Sequence, residues 1–116
     1  MEQSKQMAKL AYEALSEKKG EDIRVIDISN VSVLADYFII ANGTNGSQVN
    51  ALVDSVEEKL GKAGYDVKQR EGYGLDSWVL LDFGRIIVHV FDKENRLFYN
   101  LERIWSDGKV VDIEEL

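Results

Sequence analysis

The residues of this chain that could carry chemistry are few and scattered. Gly43-Thr44-Asn45-Gly46-Ser47 reads as a loop between a strand and a helix, where free backbone N–H groups at the helix start attract anions. It does not end in Gly-Lys-Ser/Thr and is not G-x-G-x-x-G, so it is neither a Walker loop nor a dinucleotide fingerprint. A nucleotidyltransferase also places Gly-Ser at such a helix start, but its chemistry needs two or three carboxylates converging on a divalent metal beside the triphosphate. The strand after the next helix offers only Asp66, followed by Lys68, and Asp112-x-Glu114 sits in the tail. A capped strand-to-helix turn explains the loop without any ligand. The single histidine, His89, lies inside an apolar strand, whereas a general base sits in a cleft beside its partner. With no cysteine and no histidine cluster, a zinc site has almost no support. His89 therefore reads as a packed or interface residue. Asp27, Ser32 and Asp36 resemble a carboxylate–hydroxyl set, yet short polar side chains in a connector more often bond the local backbone and fix a turn.

The bulk composition narrows the classes further. At 116 residues the chain is near the common size of one domain, with enough length for one real core. No apolar run approaches the roughly 20 residues that span a bilayer. The opening M-E-Q-S-K-Q-M lacks the pattern of an export signal, so the cytoplasm is the expected location. Fourteen Lys and Arg against 21 Asp and Glu give a net charge of −7. That balance suits a basic protein partner better than nucleic acid, since phosphate binding needs clustered cations, and it is equally explained by solubility alone.

Certain elements must position these residues. Apolar positions at Met7, Leu10, Ala11, Ala14 and Leu15 mark one face of a helix reaching about Lys18. Residues 22–28 predict a first strand, and Tyr37 to Ala41, apolar throughout, predicts a central one covered on both sides. A second helix is predicted from about Ser47 to Lys62, with Val49, Leu52, Val53, Val56 and Leu60 on one side. Thr44, Asn45 or Ser47 could cap its start. A short strand over 65–70 follows, and E-G-Y-G-L-D bridges into the next segment. After Phe91, Leu97, Leu101, Ile104 and Trp105 supply the apolar face of one or two short helices. The acidic tail from about residue 106 is expected to fray. The order αββαβββα gives an α/β (α+β) fold: one domain over 1–116, a mixed five-stranded sheet with flanking helices.

Asp76 to Phe91 organises the whole. Two apolar runs flank a break at Phe83-Gly84, the pattern of an antiparallel hairpin. With those two residues as the turn, Asp82 faces Arg85, Leu80 faces Ile87 and Trp78 faces His89. Alternation puts Trp78, Leu80, Asp82, Arg85, Ile87, His89 and Phe91 on one face, and Val79, Leu81, Phe83, Ile86, Val88 and Val90 on the other. Both faces are apolar, so each needs cover from this chain or from a partner. Trp78, Phe91, Tyr99 and Trp105 are many large rings for a small domain. Aromatic anchors beside polar groups such as Glu71 and Asp82 are a usual interface composition. Trp105 reads as core, and Trp78, on a hairpin that could end the sheet, stands between core and interface.

Taken in order, S-V-L-A-D-Y-F-I-I-A-N-G, S-Q-V, E-G at 71–72, W-V-L-L-D-F-G-R-I-I-V-H-V-F and F-Y-N-L-E-R-I-W resemble the ribosomal silencing factor family (RsfS, or Iojap-like), over about Met7 to Trp105. Each piece alone is weak; the ordered set is specific. The resemblance implies a nucleotidyltransferase-like topology without the catalytic carboxylates, no enzymatic activity and no cofactor or metal. It implies binding to large-subunit ribosomal protein number fourteen where the small subunit docks, blocking subunit joining and lowering translation under nutrient limitation. The implied protein-contacting residues are Trp78, Leu80, Asp82 and the segment Leu97 to Tyr99, with Glu71 adding charge complementary to a basic ribosomal protein. Family members often carry an acidic residue after the hairpin glycine; Arg85 stands there, so charge pairing at the turn is not carried over. A homodimer of the free protein is a further expectation, with little direct nucleic-acid binding. Two other readings stay open: an enzyme of nucleotidyltransferase type, and a large-subunit assembly factor.

Overall fold

The computed structural model of the chain describes residues 2–30, 33, 35–72, 78–93 and 109–116. Helix α1 spans Glu2–Glu17 and strand β1 Glu21–Asp27. Strand β2 covers Tyr37–Gly43, helix α2 Gly46–Lys62 and strand β3 Gln69–Glu71. Strands β4, Trp78–Asp82, and β5, Ile86–Asp92, form the hairpin, and β6, Lys109–Val111, precedes a 3-10 turn at Ile113–Glu115. The strand order is β3-β4-β5-β2-β1-β6. Among the described residues only β2 and β5 pair in parallel; the other four pairings are antiparallel. The result is an α+β arrangement with a mixed six-stranded sheet.

The helices form where the 3.6-residue apolar period lies. In α2 the predicted set Val49, Leu52, Val53, Val56 and Leu60 is wholly buried. Its start is capped by Asn45, whose side chain accepts the Gln48 N–H at 2.9 Å. Both helices cover one face of the sheet, packing Met7, Ala11, Leu15, Leu52 and Val56 against Ile39, Val79, Leu81, Val88 and Val90. On the opposite face a second cluster gathers Ile26, Ile28, Ala35, Phe38, Ile40 and Phe91, with Trp78 and Ile87 at its margin. Strand β2 is buried at all seven positions, as its unbroken apolar run requires.

The structure corrects the sequence reading in four places. Six strands replace five, because residues 109–111, read as tail, pair with Val25, Ile26 and Asp27 of β1. The hairpin does not end the sheet, since β3 pairs outside β4 and β2 lies inside β5. The stretch read as a strand over 65–70 becomes regular only at Gln69–Glu71.

The fourth correction is the turn. Phe83 N–H donates to the Ile86 carbonyl at 3.0 Å, which puts Gly84 and Arg85, not Phe83 and Gly84, at the centre of the reversal. Gly84 has φ 91°, a backbone region glycine enters freely and phenylalanine does not. The register therefore moves by two residues: Trp78 faces Phe91, Leu80 faces His89 and Asp82 faces Ile87. Moving a two-residue turn by one position changes the pairing by two, so the strand residues keep their predicted faces.

Gly72 closes the other end of β3. It has φ 75°, and a Cβ there would lie 2.2 Å from the Trp78 carbonyl oxygen. Gly72→Ala should therefore combine left-handed backbone strain of about 1–2 kcal/mol with a backbone clash. Denaturant unfolding is expected to show a loss of more than about 2 kcal/mol, with amide exchange fastest in Gln69–Glu71. A loss below half of that would mean the strand end adjusts freely.

Candidate protein-docking site

The second sheet face is graded from centre to edge. Phe38, Ile40, His89 and Phe91 at its centre are buried, while Trp78, Leu80, Asp82 and Ile87 are half-buried. Gln69 and Glu71, on the edge strand, are exposed. Registers place them together: Glu71 is opposite Leu80, Gln69 opposite Asp82, and Asp82 opposite Ile87. Opposed residues in a ladder share a face, so an apolar strip of Trp78, Leu80 and Ile87 runs beside two carboxylates. Fully burying a large apolar side chain contributes roughly 2–3 kcal/mol. The central residues have already made that gain inside the chain, whereas the marginal ones keep surface to cover.

Local bonds hold the polar rim in place. One Asp82 carboxylate oxygen accepts the Gly84 N–H at 2.7 Å, and the Asp82 carbonyl accepts the Lys68 N–H at 2.7 Å. Gln69 donates to Glu71 at 3.2 Å. Arg70 points the other way, pairing with Glu57 of α2, as alternation along β3 demands. Trp78 lies against Phe91, with ring centroids 5.4 Å apart and planes 16° apart. Its Nε1–H donates to Nδ1 of His89 at 3.2 Å. That contact is diagonal across the ladder, because Leu80 rather than Trp78 stands opposite His89.

Of the six residues singled out in the sequence, Glu71, Trp78, Leu80 and Asp82 come together on this face, and Leu97 and Tyr99 lie outside the described residues. Trp105 and Ser32 also lie outside them. Ile87 and Gln69 belong to the same surface and were not named as contacts. The two-residue alternation already put Ile87 there, while Gln69 needs the β3–β4 register.

The remaining polar residues have structural employment. Around the 43–47 loop, Gln48 Oε1 accepts from Thr44 N–H at 2.6 Å and from its hydroxyl at 2.7 Å. Its amide nitrogen donates to the Lys19 carbonyl at 2.9 Å. The loop is the capped strand-to-helix turn that its composition allows. Asp27 accepts both the N–H and the hydroxyl of Ser29, at 2.9 and 2.6 Å. Asp36 accepts from Ser4 and lies 3.9 Å from Arg85, tying α1 and the hairpin turn to the connector. Asp112 caps the last turn by accepting the Glu114 N–H at 3.1 Å. No three of the described His, Asp and Glu residues are grouped so as to hold a metal ion. No helix among the described residues is long and apolar enough to cross a membrane.

A family model described as "Ribosomal silencing factor during starvation" matches residues 1–116. A protein named ribosomal silencing factor RsfS from Bacillus subtilis is 38% identical over 95% of this chain and 93% of its own length. One of the same name from Chromobacterium violaceum is 40% identical, over 90% and 85%. A chloroplastic protein Iojap from Zea mays is 30% identical over 86% of this chain and 43% of its own. Among solved structures, a Chromobacterium violaceum protein superposes with a TM-score of 0.85 at 40% identity, covering 87% of this chain and 84% of that one. One from Bacillus halodurans gives 0.82 at 34% identity, covering 92% and 97%.

Burial pushes the His89 imidazole down to about 4 from its usual 6.5. The folded chain thus holds His89 neutral where the unfolded chain takes up a proton. Its contribution is complete above pH 6.5 and is lost as the pH falls from 6.5 toward 4. Between pH 7 and pH 5 this amounts to about 2 kcal/mol. Wild type is expected to lose that much more stability than His89→Phe over the interval, read by denaturant unfolding at each pH. Equal slopes would place the imidazole in contact with water.

Proposed function

Because the chain belongs to the ribosomal silencing factor family, we propose that it represses translation by binding the large ribosomal subunit and blocking its union with the small one. The contact is large-subunit ribosomal protein number fourteen at the intersubunit face, and the occasion is nutrient limitation. The observation that carries this reading is the half-buried strip of Trp78, Leu80 and Ile87 beside Glu71 and Asp82. An apolar anchor with an acidic rim suits a basic protein, and the same charge disfavours neighbouring RNA phosphates.

Dimensions supply the mechanism. A specific contact covers roughly 800 Å² on each partner, most of one face of a body measuring 33 × 32 × 26 Å. Even bound along its thinnest direction, such a body holds two docking surfaces well beyond contact distance. Exclusion by volume then suffices, with no bond made or broken. Against a nucleotidyltransferase reading stands the use of Thr44 and Gln48 N–H groups by side chains of the chain itself. Titration calorimetry with ATP and magnesium is expected to show no saturable heat; a saturable one would favour the enzyme.

Trp78→Ala should weaken blocking in a subunit-joining assay by roughly 30-fold, the cost of a central aromatic anchor. Asp82→Asn keeps the acceptor for Gly84 while removing the charge. It should weaken blocking by a few-fold and flatten its salt dependence. Full blocking by both variants, shown folded by thermal unfolding, would remove this face from the interface.

A further inference from the structure

An indole at the margin of a sheet face has several rotamers open to it, yet Trp78 is held on two sides. Phe91 lies flat against it, and its N–H points to Nδ1 of His89. His89 is 4% exposed and is itself enclosed. Phe38 meets it edge-on with centroids 4.8 Å apart, and Phe91 lies near-parallel at 6.3 Å. An imidazole is an unfavourable filler for such a place. With Nδ1 accepting, the ring proton sits on Nε2, which is buried and has no hydrogen-bond partner among the described residues. Phenylalanine or leucine would fill the apolar site without stranding a donor. What neither could supply is an acceptor aimed at the indole nitrogen.

We propose that His89 is a positioning residue for the docking surface: its Nδ1 holds the Trp78 indole in the orientation the partner meets. The inference rests on reading Trp78 as a docking anchor. His89 is buried and touches no partner, so it acts only through Trp78. A side chain ordered beforehand loses little rotamer freedom on binding, and the effect of His89 therefore appears in affinity.

The test combines affinity for isolated large ribosomal subunits with the indole N–H resonance of Trp78, assigned by its disappearance in Trp78→Phe. His89→Phe keeps a flat ring in the site and removes the acceptor. It should shift that resonance, speed its exchange with solvent and weaken subunit binding about tenfold. His89→Asn, whose side-chain oxygen can stand near the place of Nδ1, should restore most of both. If Trp78→Ala binds subunits as wild type does, the docking reading fails and the proposal with it. If Trp78→Ala weakens binding and folded His89→Phe does not, the positioning role is overturned while the docking surface stands. Should His89→Phe not fold, the wild-type chain decides: nitrogen shifts of His89 must report Nε2 protonated and Nδ1 accepting. The opposite tautomer overturns the proposal.

Discussion

The parallel pairing of β2 with β5 constrains everything else in this molecule. Seven consecutive pairs, from Tyr37 with Ile86 to Gly43 with Asp92, lock the two strands together in the middle of the sheet. Strands in that position must be covered on both faces, and their sequences are apolar on both. One face is closed by α1 and α2. The other forms a second cluster around Phe38, Ile40 and Phe91, with the buried imidazole of His89 among them. The proposed docking strip lies where the second cluster gives way to the edge formed by β3.

That placement gives the strip firm support. Trp78 and Leu80 are carried on β4, with β5 on one side and β3 on the other. Gly72 lets β3 reach the Trp78 carbonyl closely enough to pair, and Asp82 fixes the reversal by accepting the Gly84 N–H. The half-buried side chains are thus presented by backbone already bonded in two directions. On the proposed docking reading, binding needs little ordering of the chain, which lowers the entropic cost of association.

Much of this was legible from residue order alone. Apolar spacing along α2 named its five buried residues, the unbroken run from Tyr37 named the central strand, and alternation sorted the hairpin onto the correct faces. The turn was misplaced by one residue because local composition does not say which centre takes the positive φ; the backbone at Gly84 does. Strand β6 carries no local signal, being three residues amid acidic neighbours, and exists through pairing with distant β1. The same limit affects the contact between Trp78 and His89. The sequence pairs them directly, whereas in the structure they meet diagonally, because the register lies two residues from the expected one.

The smallest dimension of the body, 26 Å, has a consequence for dosage. On the proposed reading one molecule shields one subunit for as long as it stays bound, and it turns nothing over. Silencing then scales as a titration: its depth follows the ratio of this protein to free large subunits, and its reversal follows dissociation. A cell using such a device would adjust translation through copy number and residence time, as with a stoichiometric inhibitor, and could not silence many subunits with a few molecules.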